Sequence, residues 1–266
     1  MTKTKTAPVS ACWKPSAKFW TLRGLANAPR LLAMPAGLYP AWKKFVTIEH
    51  PNVDKSERAF ARSASGLMDF LAVCVKNDLS CVLPSAAADS VWHAWLFWDA
   101  ASFKAFSEKI FGRVVVHRTV GEMSVSKEEG IQNTWVTLAL IREVVPYASS
   151  MPALFELDRK LKFPGGWAYA FDEGALVHAN IGADREFSNR LVAHPLLCAA
   201  ALKSAFVNLP GTEQIIAAHE AYLLKRYGST EGGGVMDLQW GGGSGHCGGG
   251  DAGCDGGVDG GGGCGD

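Results

Sequence analysis

Nineteen of the thirty glycines in this 266-residue chain fall in its last 39 residues, and that placement decides how much of the chain can build a core. Each glycine loses more backbone freedom on ordering than any other residue and brings no side chain to bury. Residues 228–266 add only Val235, Met236, Leu238, Trp240 and Val258 as sizeable apolar groups. The expectation is a disordered Gly/Cys-rich tail over 228–266. Ahead of it, the sequence divides into a basic N-terminal arm over 1–48 and a helical body over 49–227.

Charge separates the two ends. Residues 1–48 carry eight basic residues (Lys3, Lys5, Lys14, Lys18, Arg23, Arg30, Lys43 and Lys44) and no acid, whereas residues 228–266 carry six acids and no base. A solvated arm, or one resting on the acidic tail, accounts for this pattern. RNA binding through phosphate neutralisation and tryptophan stacking is the alternative. Pro8, Pro15, Pro29 and Pro35 interrupt any long amphipathic leader helix. The longest apolar runs, such as Phe70 to Val75, fall far short of the roughly 18 to 20 residues that span a bilayer, so no membrane span is expected. Seven cysteines without an apolar export leader do not read as a disulfide framework, and the expected location is cytoplasmic.

Periodicity makes the body mainly α, with six to eight helices. Phe60, Ala64, Leu67, Leu71 and Cys74 repeat every three to four residues from a start near Asp54 to an end near Asn77. Ser85 caps the next helix, with Val91, Trp92, Trp95 and Trp98 on it, and Asp99 begins another that Gly112 ends. Ser126-Lys127-Glu128-Glu129 is a capping box ahead of Ile131, Trp135, Leu138 and Ile141. A shorter helix is predicted over 152–162. Residues 167–183 read as extended. Further helices are predicted from Asp184, interrupted at Pro195, and from Thr212.

One run, Leu83-Pro84-Ser85 through Val91-Trp92-His93, leads to Phe103, Phe106, Ile110-Phe111-Gly112-Arg113 and His117. A second comprises Asn133-Thr134-Trp135, Pro152-Ala153-Leu154-Phe155-Glu156-Leu157-Asp158 and Phe163-Pro164-Gly165-Gly166. Together, over about residues 60–170, they resemble the glycine-rich domain-containing protein-like family of bacteria and plants. The chain departs from that pattern at Trp95, Ser107 and Arg118, where histidine or phenylalanine, cysteine, and histidine are common. The resemblance implies a domain rather than a reaction, since that family has no agreed activity; some plant members are linked to stress responses and RNA binding.

His93 and His117 are the histidines that the resemblance retains. Two imidazoles brought together, with Asp89 or Asp99 alongside, would make an open transition-metal site. A histidine among Trp92, Trp95 and Trp98 also reads as a hydrogen-bonded core residue. Ser85 lacks the Gly-x-Ser-x-Gly elbow of a nucleophile, and Gly165-Gly166 lacks a phosphate-loop pattern. Cys74 and Cys81 read as buried thiols. In the tail, His246, Cys247, Cys254 and Cys264 are ligand types suited to zinc but spaced unlike a structural zinc site.

No acid/base pair, nucleophile or cofactor loop dominates. The sequence therefore points first to a non-catalytic interaction or scaffold module, with a protein as partner and the oligomeric state open. A metal-dependent enzyme or metal-binding protein centred on His93 and His117 is the alternative, and RNA binding by the arm comes third. Convergence of His93 and His117 on one pocket is the observation that separates the first two.

Overall fold

The computed structural model describes Cys12, Trp13 and residues 27–228, apart from residues 119, 148, 149, 173 and 174. Among these residues, eight α-helices follow in order: α1 (Ala28–Leu32), α2 (Leu38–Glu49), α3 (Glu57–Lys76), α4 (Ala86–Phe111), α5 (Lys127–Ile141), α6 (Leu157–Leu161), α7 (Ala199–Val207) and α8 (Glu213–Tyr227). Three strands, β1 (Trp167–Asp172), β2 (Ala175–Asn180) and β3 (Val192–Cys198), lie between α6 and α7. The chain is mainly α with a small antiparallel sheet.

Serine hydroxyls start the three long central helices. Ser56, Ser85 and Ser126 accept from the backbone N–H of Ala59 (3.1 Å), Ala88 (3.2 Å) and Glu129 (3.1 Å), satisfying donors that a helix start leaves unpaired. Asp54, near which α3 is predicted to start, orients the capping residue. Its carboxylate accepts from the Ser56 N–H at 2.9 Å and the Ser56 hydroxyl at 3.0 Å.

α3 and α4 form the central pair, with α2 across α4 and α5 on α3. Phe60, Ala64, Leu67 and Leu71 of α3 are fully buried. A Cβ on Gly66 would fall 2.6 Å from a Leu157 methyl, so α3 and α6 approach closely at this glycine. Trp42 of α2 is buried and donates its indole N–H to the Ser90 hydroxyl at 2.9 Å. The two helices predicted on either side of Asp99 are present and meet within α4 at a kink: Asp99 leaves helical geometry, with φ −161° and ψ 85°, and its carboxylate caps the second half through the Ser102 N–H at 2.9 Å. Trp95 donates to the Ser102 hydroxyl at 2.8 Å. Gly112, at φ 78°, closes the helix in the left-handed region.

Three expectations change. Residues 27–48 of the stretch assigned to the arm form α1 and all but the last residue of α2, and they bury Leu31, Met34, Leu38, Trp42 and Val46 in the core. Pro29 is no obstacle there, because the first turn of a helix leaves its N–H unpaired anyway. Of the arm's basic residues, Arg30 bonds the Asn27 side chain at 2.9 Å and lies over the Phe111 ring, and Lys43 and Lys44 are exposed. The other five, Lys3, Lys5, Lys14, Lys18 and Arg23, lie outside the described residues. Second, Asp184 opens a turn rather than a helix: its carboxylate accepts from the Glu186 N–H at 3.0 Å, and Arg185 has φ 68°. The chain then enters β3, an edge strand, where a proline such as Pro195 is tolerated. Third, the helix predicted over 152–162 shortens to α6 and ends at Lys162, with φ 46°. The predicted tail disorder and its His246, Cys247, Cys254 and Cys264 lie outside the described residues. Among the described residues, no helix is long and apolar enough to cross a membrane.

Candidate functional site

Asp89 and His93 stand four residues apart on α4, so their side chains leave the same face of the helix. His117 arrives from the opposite direction. After Gly112 the chain doubles back, held by the buried Ser107 hydroxyl, which donates to the Arg113 carbonyl at 2.8 Å and accepts from the Val115 N–H at 3.0 Å. The Arg113 guanidinium fastens the same turn to the end of α3. It donates to the Cys74 carbonyl and, at 3.5 Å, to the Asn77 carbonyl, and pairs with Asp78 at 3.6 Å. Trp92 then meets the His117 ring nearly edge-on, with centroids 4.6 Å apart at 73°.

These constraints bring three ligand-type groups together. His93 Nε2 lies 3.1 Å from His117 Nε2. Asp89 reaches each ring through a different oxygen, with Oδ1 3.4 Å from His117 Nε2 and Oδ2 3.6 Å from His93 Nε2. Bonds of about 2.0–2.1 Å to a zinc-sized ion place neighbouring ligand atoms roughly 3.0–3.4 Å apart; here one ligand atom from each of the three residues lies within 4.8 Å of the other two, so side-chain rotation would bring them onto an ion. The arrangement also has a metal-free form, in which one imidazole donates its Nε2 proton to the other. Of the two carboxylates considered from sequence, Asp89 takes part and Asp99 is occupied in capping.

The side chains of His93, Asp89 and His117 are 44%, 39% and 26% exposed, so solvent reaches the cluster. They line a cavity of about 540 Å³. Phe70, Val114 and Met123 contribute its apolar wall, and Arg113 and Arg118 its cations. Cys74 and Cys81 also line it. Burial pushes their thiols up to about 12 and about 11, which keeps them protonated and poor as ligands or nucleophiles at neutral pH.

The other motif residues build the frame. Asp158, 1% exposed, accepts four hydrogen bonds: from the Ser85 hydroxyl (2.6 Å) and Ala87 N–H (2.9 Å) at Oδ1, and from the Ala86 N–H (2.9 Å) and Trp167 N–H (3.1 Å) at Oδ2. Burial pushes this carboxyl above the usual range, while the hydroxyl and three N–H groups pull it down. Ser85 is 2% exposed and gives its proton to Asp158 while capping α4. Gly165 takes φ 76°, and a Cβ on Gly166 would fall 2.4 Å from Asp158 Oδ2, so the turn after Pro164 needs both glycines. Trp135 is fully buried against Phe155, with centroids 4.7 Å apart. Val91 and Trp92 are buried, and Phe111 packs at the core's edge beside Phe106.

Sequence reasoning missed two features: the anchoring part of Asp158, whose partners Ser85 and Trp167 lie 73 and 9 residues away, and the cavity on which Arg118 borders. No local pattern announces either one. The Asp89-x-x-x-His93 spacing was the available signal for the triad.

The family model described as UCP032817-like matches residues 35–190, more than half of the chain. This match does not carry the glycine-rich domain-containing name, for which the motifs remain the basis. No curated protein and no solved structure matches.

Proposed function

We propose that this chain, which belongs to the uncharacterised UCP032817-like family, is a divalent transition-metal protein whose ion is held by Asp89, His93 and His117. The observation that carries the reading is the cluster of three ligand-type side chains, one atom of each within 4.8 Å of the others, in the lining of a solvent-reachable cavity. Structural zinc sites fill all four positions with protein ligands, whereas two imidazoles and one carboxylate leave positions free for water or substrate. That openness suits a metal-dependent enzyme better than a structural site. An ion so held polarises a bound oxygen or lowers the pKa of bound water. For this reason the metal reading stands ahead of the non-catalytic scaffold that the sequence favoured.

Metal analysis of protein purified without chelators tests it. About one equivalent of zinc, iron or another first-row ion is expected. His93→Ala/His117→Ala should remove it, and a Cys247→Ser/Cys254→Ser/Cys264→Ser variant should retain it. Sub-stoichiometric metal after reconstitution, or loss only in the cysteine variant, would refute the assignment.

A separate observation favours a second, interaction role. Phe97 is 86% exposed, with its ring 6.0 Å from Phe45, and Ile48 nearby in sequence on α2 is 70% exposed. Phe97→Ser should weaken capture of a protein partner without altering metal content; unchanged capture would count against this role.

A further inference from the structure

The cavity beside the triad holds two guanidinium groups, Arg113 and Arg118, and two carboxylates, Asp78 and Asp89. The carboxylates are both engaged. Asp78 pairs with Arg113, and Asp89 closes the triad, so a divalent ion would leave the lining net cationic. Arg113 is likewise engaged with the carbonyls that end α3. Arg118 is different: among the described residues it makes no hydrogen bond and no ion pair, although it follows His117 directly and borders the same cavity. A free guanidinium offers a planar fork of donors matched to an oxyanion. The cavity's 540 Å³ falls within the roughly 300–1,000 Å³ of small-molecule sites.

Resting on the metal reading above, we infer that the cavity takes a small organic oxyanion, a carboxylate or a phosphate monoester. Its acid group bridges the ion and Arg118, and its apolar part lies against Phe70, Val114 and Met123. Arg118 is thereby a substrate-binding residue, and the metal and guanidinium divide the oxyanion's charge between them.

The test uses the full-length protein loaded with Co(II), titrated with phenylphosphate, benzoate and the neutral benzamide, and read by the visible Co(II) spectrum. At least one of the two anions should change the spectrum saturably, and benzamide should not. Tighter binding of phenylphosphate identifies a phosphate ester as the natural class, and tighter binding of benzoate a carboxylate. Arg118→Gln should weaken anion binding at least tenfold with Co(II) stoichiometry unchanged, and Arg118→Lys should recover part of the loss. The variant's exposed position makes it safe for the fold. Equal binding of benzamide, no response to either anion, or undiminished binding by Arg118→Gln would overturn the oxyanion assignment while leaving the metal site standing. Failure of the parent to take up Co(II) would overturn both.

Discussion

Asp158 and Asp89 are carboxylates that both sit close to the start of α4, and their surroundings differ in kind. Asp158 is almost wholly buried, and each of its oxygens accepts from two donors. Asp89 is 39% exposed and faces the Nε2 atoms of two imidazoles, with no backbone N–H donating to it among the described residues. A saturated carboxylate in the core fixes geometry. An under-supplied one at a cavity's edge is available to an ion. The Ser85 and Pro164-Gly165-Gly166 motifs belong to the first region, and His93 and His117 to the second.

The largest expected effect is on the saturated site. Asp158→Ala would strand a serine hydroxyl and three backbone N–H groups, each at a cost of about 1–3 kcal/mol when left unpaired, so a loss of at least about 4 kcal/mol is expected in denaturant unfolding. A loss under about 1 kcal/mol would mean that water replaces the carboxylate and that the contrast is false. Gly166→Ala pushes on the same carboxylate from outside. Its cost should be roughly 1–3 kcal/mol, the range for forcing an extra carbon into a packed site. A neutral result would show that the turn relaxes freely.

Legibility follows how far apart in sequence the partners lie. Helix starts at Ser85 and Ser126 can be read because a cap and the N–H it satisfies are three residues apart. The pairing of Asp89 with His93 can be read for the same reason, once the segment is known to be helical. The first two strands fall in the stretch over 167–183 that reads as extended, but the third could not be read: β3 owes its extended form to pairing with β2, in a segment whose own periodicity resembled a helix interrupted by Pro195. Asp158 reads as one more polar residue inside the helix predicted over 152–162 until the fold brings Ser85 to it from 73 residues away.

Acid should act on the sheet. His194, 5% exposed, lies on the same side as His178, with ring centroids 6.4 Å apart. Burial lowers His194 to about 4, with further lowering from His178 and Lys127 against a raising contribution from Glu128. His178 is lowered as well, first by burial. The unfolded chain, with histidine near 6.5, therefore binds more protons than the folded one. The stability associated with neutral His194 is full above about pH 6.5 and is lost as pH falls toward 4. His194→Gln should flatten that slope in melts between pH 4 and 6.5; an unchanged slope would place its origin elsewhere.

The smallest effect on stability is expected at the triad. His93→Ala/His117→Ala in metal-free protein should cost less than about 1 kcal/mol for groups this exposed. The parent, and not the variant, should gain melting temperature when metal is added. A costly double variant with no metal response would make the pair a structural hydrogen bond.

X-ray absorption at the metal edge of the reconstituted full-length protein tests the central claim most directly. The account expects a first shell of nitrogen and oxygen at about 2.0–2.1 Å, with the outer-shell scattering of two imidazoles and no sulfur. A sulfur shell near 2.3 Å would place the ion on cysteines and contradict the assignment of Asp89, His93 and His117.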